Sequence, residues 1–427
     1  MKRLSTLILS FLNLHTLVLG LSVESSNPWN QVLEVHQDAS TCHVQLVESI
    51  PQGLVYNESM TNMLTFRAWQ SLLEATTESL HLASSYWSLR GKDVFEHPSD
   101  WQGEWIFEAL HNLAVEKKIP IHIAQNKQAN NDTDELGKID GIEVRTLDFD
   151  RLMGAGILHT KLWISDKRHF YVGSANFDWR SLTQVKELGV LAMNCPELAG
   201  DMEKIFQVYW YLGQPEATIP NQWPQDLQTT INFDNPLPVM DTSVFLSSSP
   251  PPFCPGGREV DIEAISKVIS SAQEFIHIAV MDYSPSFLYD SKHEFWPVID
   301  NLLRQAVIER GVKVKLLFSL WDHTKANMFA FMKSLSALDG LENADVKARL
   351  FKVPAFSPDQ AEIPFARVNH NKYMVTDQHG FIGTSNWSAD YFVNTGGIGF
   401  VFDKSQLQQE LQALFQRDWT SSYAQEL

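Results

Sequence analysis

Two rhythms of apolar and polar residues take turns along this chain, and the whole alternation runs twice. Short apolar runs bounded by turn residues predict buried strands at Leu80–Trp87, Lys118–Ala124 and Gly141–Arg145, and again at Phe275–Tyr283, Gly311–Phe318 and Asp345–Leu350. Segments at helical spacing separate them, for example Trp105–Glu116 in the first set and Phe295–Arg310 in the second. Each set goes on to a strand that begins at a lysine, then a further apolar strand, Phe170–Val172 or Gly380–Ile382. Each then closes with a helix, Met202–Tyr211 or Leu407–Trp419. This order predicts an α/β fold of two similar lobes, each a mixed β-sheet flanked by helices.

Between the two sets, residues 213–255 accumulate Pro, Ser, Asn and Gln, and Pro250-Pro251-Pro252 argues against regular structure there. The expected division is a first lobe over 42–245 and a second over 246–427. Ahead of them, Met1-Lys2-Arg3 and the apolar Leu4–Gly20 have the layout of a secretory signal peptide over 1–20, followed by an N-terminal extension over 21–41. Asn13 and His15 inside the apolar run favour a cleaved leader over an uncleaved membrane anchor. The expected location is the secretory pathway, in a lumen or outside the cell.

The duplicated segments carry chemistry. One copy reads His159-Thr160-Lys161, then Asp166 and Gly173-Ser174-Ala175-Asn176; the other reads His370-Asn371-Lys372, then Asp377 and Gly383-Thr384-Ser385-Asn386. His and Lys two residues apart share one face of a strand. An imidazole can attack phosphorus or donate a proton, while Lys161, Lys372, Asn176 and Asn386 can hold the non-bridging oxygens of a phosphodiester. A nucleophile at one end and an acid at the other require both copies, so the two lobes are expected to share one active site. Asp166 and Asp377 stand after the lysine strand and are expected to tie down the turn. Two lysines already meet the phosphate charge, and the sequence has no His-Glu-x-x-His, Cys-x-x-Cys pair or Asp-rich loop, so neither a metal nor another cofactor is expected.

Charge narrows the partners. Loss of Lys2 and Arg3 with the leader takes the 33 basic residues to 31 against 51 acidic ones, and the formal charge from −18 to −20. Such a surface argues against an extended duplex-binding face and suits an anionic substrate at low pH, where the remaining histidines gain charge. The three cysteines, Cys42, Cys195 and Cys254, allow one disulfide in any of three pairings. Asn57 and Asn131 head sequons in polar stretches and are candidate glycan acceptors; Asn386 also heads one, but a glycan there would compete with chemistry.

The spacing His-x-Lys-x4-Asp followed by Gly-Ser/Thr-x-Asn, present twice, resembles the HKD signature of the phospholipase D superfamily. The surrounding words, Gly173 to Gly189, Arg367 to Thr376, Leu46 to Pro51 and Phe295-Trp296-Pro297, are similar to the animal type-three and type-four phospholipase D branch over about residues 42–425. That resemblance implies an endolysosomal or secreted phosphodiesterase, a 5′-to-3′ exonuclease on single-stranded DNA or RNA acting through a phosphohistidine. The alternative it implies is a lipid phosphatidyltransferase forming bis(monoacylglycero)phosphate, with an anionic phospholipid as partner. Homodimers and a Cys42–Cys195 disulfide are also implied. Many superfamily members hold the motif histidine with a nearby carboxylate. Glu187 stands eleven residues after Asn176, where the second copy has Gly397. On that basis His159 is expected to be the nucleophile with Glu187 as its orienting partner, and His370 the general acid. Tyr86, Trp87, Phe177 and Trp179 lie near the expected strand ends, where a base could stack, although core packing is the first expectation for any one of them and the same apolar walls could hold an acyl chain.

Overall fold

The computed structural model describes residues 41–56, 62–289 and 294–427. The leader, all of the expected extension but Thr41, and Asn57 lie outside these residues. Within the compact unit Ser40–Leu427, period-two sequences partition side chains between two cores. In strand Lys161–Ser165, Leu162 and Ile164 enter a central cluster while Trp163 enters an outer one. In strand His169–Gly173, Phe170 and Val172 go inward and Tyr171 outward. Burial on both faces explains why these strands read as nearly continuous apolar runs.

Among the described residues the first sheet has eight strands in the order Met63–Leu64, His43–Ser49, Glu187–Met193, His169–Gly173, Lys161–Ser165, Leu80–Ser84, Ile121–Asn126 and Ile142–Leu147. The second repeats the pattern with Thr242–Ser249, Gly397–Asp403, His379–Gly383, Lys372–Thr376, Phe275–Val280, Lys313–Ser319 and Val346–Phe351. Leu237–Val239 and Ala424–Glu426 lie at its two edges, and Glu259–Val260 pairs beside Thr242–Ser249. In both sheets the lysine strand runs antiparallel to its neighbours, and the three strands that follow in the order are mutually parallel. The expected mixed sheets are thus present twice with matching order.

Two expectations about the join are corrected. The boundary at 245/246 falls inside strand Thr242–Ser249, and the second sheet already takes a strand at Leu237–Val239. The stretch 213–255 is not wholly irregular either, because Val244–Ser249 pairs with Gly397–Phe402 and the strand ends only at Pro250, which has no N–H to continue the ladder.

Helices Pro196–Leu212 and Gln406–Thr420 pack in the central core with the inner faces of both sheets. Pro196 occupies the first turn of one, where its missing N–H costs nothing, and Ser405 caps the other by accepting from the Gln408 N–H. Thr65–Ala75 and Trp101–Val115 cover the outer face of the first sheet, and Asp261–Ser271 and Val298–Arg310 that of the second. Cys42 and Cys195 form a disulfide that joins the start of strand His43–Ser49 to the cap of helix Pro196–Leu212; the Cys254 thiol is free, and burial pushes it up to about 12. The described residues contain no helix long and apolar enough to cross a membrane.

Candidate active site

The two motif histidines sit where each lobe's backbone enters the other. The His159 N–H donates to the Gly396 carbonyl at 2.8 Å, and the His370 N–H donates to the Lys186 carbonyl at 2.8 Å. Short bridges Leu158 to Gly396 and Lys186 to Asn369 flank these bonds. Reciprocal tethering brings His159, His370, Asn176 and Glu187 into one cleft of about 310 Å³. A second hollow of about 530 Å³, walled by Ile157, Tyr289 and Tyr391, shares Tyr86 and His159 with this cleft.

The partner of Glu187 is a correction. Its two carboxylate oxygens lie 2.9 and 3.0 Å from His370 Nδ1, across the lobe seam, and not beside His159. The cause is the register at the seam. Because His370 is tethered to the carbonyl of Lys186, the next residue along the first lobe's strand is presented to the second lobe's imidazole. His159 Nδ1 instead lies 2.9 Å from the Thr384 carbonyl, which only accepts, so the proton sits on Nδ1 and Nε2 keeps its lone pair. No carboxylate matches Glu187 in the second copy, since a Cβ on Gly397 would meet Ser385 Oγ at 2.3 Å and Ser249 Oγ at 2.9 Å.

These partners give the two imidazoles different electrostatics. Burial, then Lys161, Lys372 and His370, holds His159 well below its usual range, against a weaker opposing pull from the Thr384 carbonyl. Burial also lowers His370, but there the Glu187 charge and hydrogen bond favour the imidazolium. The lysines stand behind the histidines. Lys161 Nζ donates to the His159 carbonyl at 2.5 Å and Lys372 Nζ to the His370 carbonyl at 2.6 Å. Burial lowers Lys161 well below its ordinary range and pushes Lys372 down to about 7, with Glu187 and Asp282 opposing the second shift.

Asn386 lies behind the cleft and donates from Nδ2 to Asp282 Oδ2 and to the Tyr391 hydroxyl, at 3.2 Å each. A glycan on so buried an amide would have no room. The Asn176 and Asn386 carbonyl oxygens are buried without partners. Asn131 is exposed at the first turn of helix Asn131–Leu136. Asp166 accepts from the N–H groups of Thr77, Glu78 and Ser79, and Asp377 from those of Gln273, Glu274 and Phe275. Both aspartates therefore pin the turn that leads into the strand antiparallel to their own lysine strand, Leu80–Ser84 or Phe275–Val280. Ser174 Oγ bonds to the backbone of Leu188, and its counterpart is Thr384, whose Oγ1 accepts from the Ile398 N–H; Ser385 Oγ is buried and unpaired.

Several site residues were missed in the sequence. Asp282, two residues beyond the end of strand Phe275–Val280, occupies the place that Tyr86 takes in the first lobe; a carboxylate closing an apolar strand was the available signal. Arg180 lines the cleft and clamps Asp178, which also accepts from the Tyr86 hydroxyl. The aromatic expectation divides: Tyr86 lines the cleft, whereas Trp87, Phe177 and Trp179 are buried in apolar clusters. The seam is braced behind Glu187 by fully buried Lys186, 2.8 Å from Asp418, and by Arg417, 2.8 Å from Glu48.

Two lobes of this topology, meeting over paired His-x-Lys motifs, define the phospholipase D fold. The chain belongs to the family described as PLD3/4, PLD-like domain, whose model matches residues 57–356. It is 46% identical over 400 residues to the 5′-3′ exonuclease PLD3 of Xenopus laevis, spanning 90% of this chain and 80% of that one. It is 41% identical over 413 residues to the 5′-3′ exonuclease PLD4 of Mus musculus, spanning 92% and 81%. Among solved structures it resembles the phosphatidylserine synthase of Haemophilus influenzae Rd KW20, with a TM-score of 0.55 at 13% identity over 85% of each chain, a likeness of fold alone.

Proposed function

We propose that this protein is a phosphodiesterase that removes nucleotides from the 5′ end of single-stranded DNA or RNA, with His159 as nucleophile and His370 as general acid. The observation that carries the chemistry is the unequal pair of imidazoles in one cleft, one held neutral by burial and cationic neighbours with its tautomer fixed by a peptide carbonyl, the other backed by a buried carboxylate. The His159 Nε2 lone pair forms the phosphorus–nitrogen bond as the phosphorus–oxygen bond of the leaving group breaks and takes a proton from His370 Nε2. Water then replaces the histidine on phosphorus, giving its proton to His370, which restores both groups. Lys161, Lys372 and Asn176 meet the charge on the non-bridging oxygens, while Asn386, whose amide is held by Asp282 and Tyr391, supports the site from behind.

The choice of nucleic acid rests on the names of relatives that align over most of this chain. The same intermediate resolved by an alcohol would make the protein a lipid phosphatidyltransferase. Turnover of single-stranded oligonucleotides labelled at either end, beside phosphatidylglycerol with an acceptor lipid, separates the two. Release of mononucleotides from the 5′ end at about pH 5 is the expected result, and transfer to lipid without it refutes the exonuclease assignment. We place the protein in the lysosome lumen or outside the cell, as a homodimer with a glycan on Asn131. The Cys42–Cys195 disulfide supports an oxidising compartment.

A further inference from the structure

The mouth of the cleft carries a feature that neither the fold nor the motifs require. The turn Ile363–Arg367 reaches from the second lobe over the first, and two arginines hold it. The Arg180 guanidinium donates to the Pro364 carbonyl, while Arg367 donates to Gln184 Oε1 at 3.0 Å and to the Gln52 carbonyl at 3.1 Å. Ile363 and Ala366 are buried against Trp179. Phe365 between them turns the other way, is 63% exposed, and has a backbone φ of 53°, a conformation that L side chains rarely adopt.

An exposed phenyl ring on left-handed backbone is unfavourable twice over, and the arginine clamps fix it there. The ring is not isolated. It stacks on His323 with centroids 4.7 Å apart and planes 16° apart, and Trp321 meets that imidazole edge-on at 4.7 Å. Phe365 and Trp321 line the same cleft as His159 and His370.

We propose that Phe365, with His323 and Trp321 behind it, is a stacking platform for one nucleobase beside the scissile phosphodiester. This deepens the exonuclease assignment and rests on it. A platform of this kind accepts a base that has left its helix, and it fits any of the four bases because each has a π-face. It therefore selects single strands with little sequence preference.

The test uses single-stranded oligonucleotides in which an abasic residue replaces each of the first four nucleotides in turn. Stacking of one base predicts that the wild-type chain loses about 5- to 150-fold in kcat/KM at one of these positions. F365A should erase that discrimination at the same position, and F365W should retain it. Discrimination by F365A equal to that of wild type at every position overturns the proposal, as does a wild-type chain indifferent to abasic residues. If F365A does not fold, 2-aminopurine placed at the same position and bound to the H159A chain reports directly. Quenching on binding supports stacking, and an unquenched base at all four positions overturns it. A defect of F365A confined to phosphatidylglycerol turnover also overturns it and assigns the ring to an acyl chain. A wild-type chain that degrades no oligonucleotide removes the exonuclease assignment itself, and the platform with it.

Discussion

Glu187→Gln keeps the size of a side chain that is fully buried at the seam and removes its charge. In the native chain both carboxylate oxygens lie within 3.0 Å of His370 Nδ1, and their charge works against the lowering that burial imposes on this imidazole. A hydrogen bond between charged partners contributes about 1.5–3 kcal/mol, and at 1.36 kcal/mol per unit its loss lowers the His370 pKa by about one to two units. His370 must be protonated to expel the leaving group, so activity is lost as pH rises through its pKa. Removing Glu187 therefore moves the alkaline limb of kcat/KM down by about one to two units. Midway between the old and new values the variant loses about 3- to 10-fold more than at acid pH, and above the native value the extra loss reaches about 10- to 100-fold. The native optimum falls below 6.5, because both imidazoles are lowered from that value and His159 the further. The assay is kcat/KM from about pH 3.5 to 7.5 on a short oligonucleotide, with folding checked at each pH. A loss uniform across pH, or a shift of the acid limb instead, refutes the pairing with His370 and returns Glu187 to His159.

Acid quenching of wild-type turnover should trap a phosphohistidine on His159. His370→Ala should still form it from a substrate whose leaving group needs no proton, and peptide mapping of the adduct to His370 reverses the roles. Lys186→Met leaves Asp418 buried with one partner fewer, and should cost about 3–5 kcal/mol by denaturant titration; an unchanged midpoint contradicts the buried pairing. Cys42→Ser opens a crosslink between residues 153 apart in sequence and should lower stability by about 2–5 kcal/mol, read as an earlier unfolding midpoint under non-reducing conditions.

Apolar period and motif spacing located both lobes, the lysine strands and the two histidines, because each depends on residues close together in sequence. Partners across the seam were not legible in the same way. His370 and Glu187 are separated by 183 residues, and an offset counted from Asn176 places a carboxylate on a strand without saying which lobe's imidazole it faces. The lobe boundary was misplaced for a related reason: Ser247-Ser248-Ser249 lacks the apolar signature of a buried strand, although its hydroxyls are satisfied within the fold. Trp87, Phe177 and Trp179 show the converse. Nearness in sequence to a strand end put them near the cleft, while the two-residue pairing Trp87–Ser88 with Phe177–Asp178 accompanies burial of Trp87 and Phe177 in the outer core, and Trp179 is covered by Ile363 and Ala366. Phe365 gave no sequence signal, since its exposure depends on arginine clamps from both lobes.

The reciprocal backbone bonds at His159 and His370 have a consequence for how such a site can change. Were the two lobes separate and identical subunits related by a twofold axis, any residue gained near one imidazole would appear near the other as well. A carboxylate that favours the acid would then equally burden the nucleophile. Joining the lobes in one chain keeps the mutual tether but releases the copies from that constraint, so Glu187 and Gly397 can occupy matching places with opposite effects. Division of labour between the two histidines thus becomes heritable: each copy can accumulate substitutions that suit its own half of the reaction, while each histidine keeps its backbone bond to the other lobe.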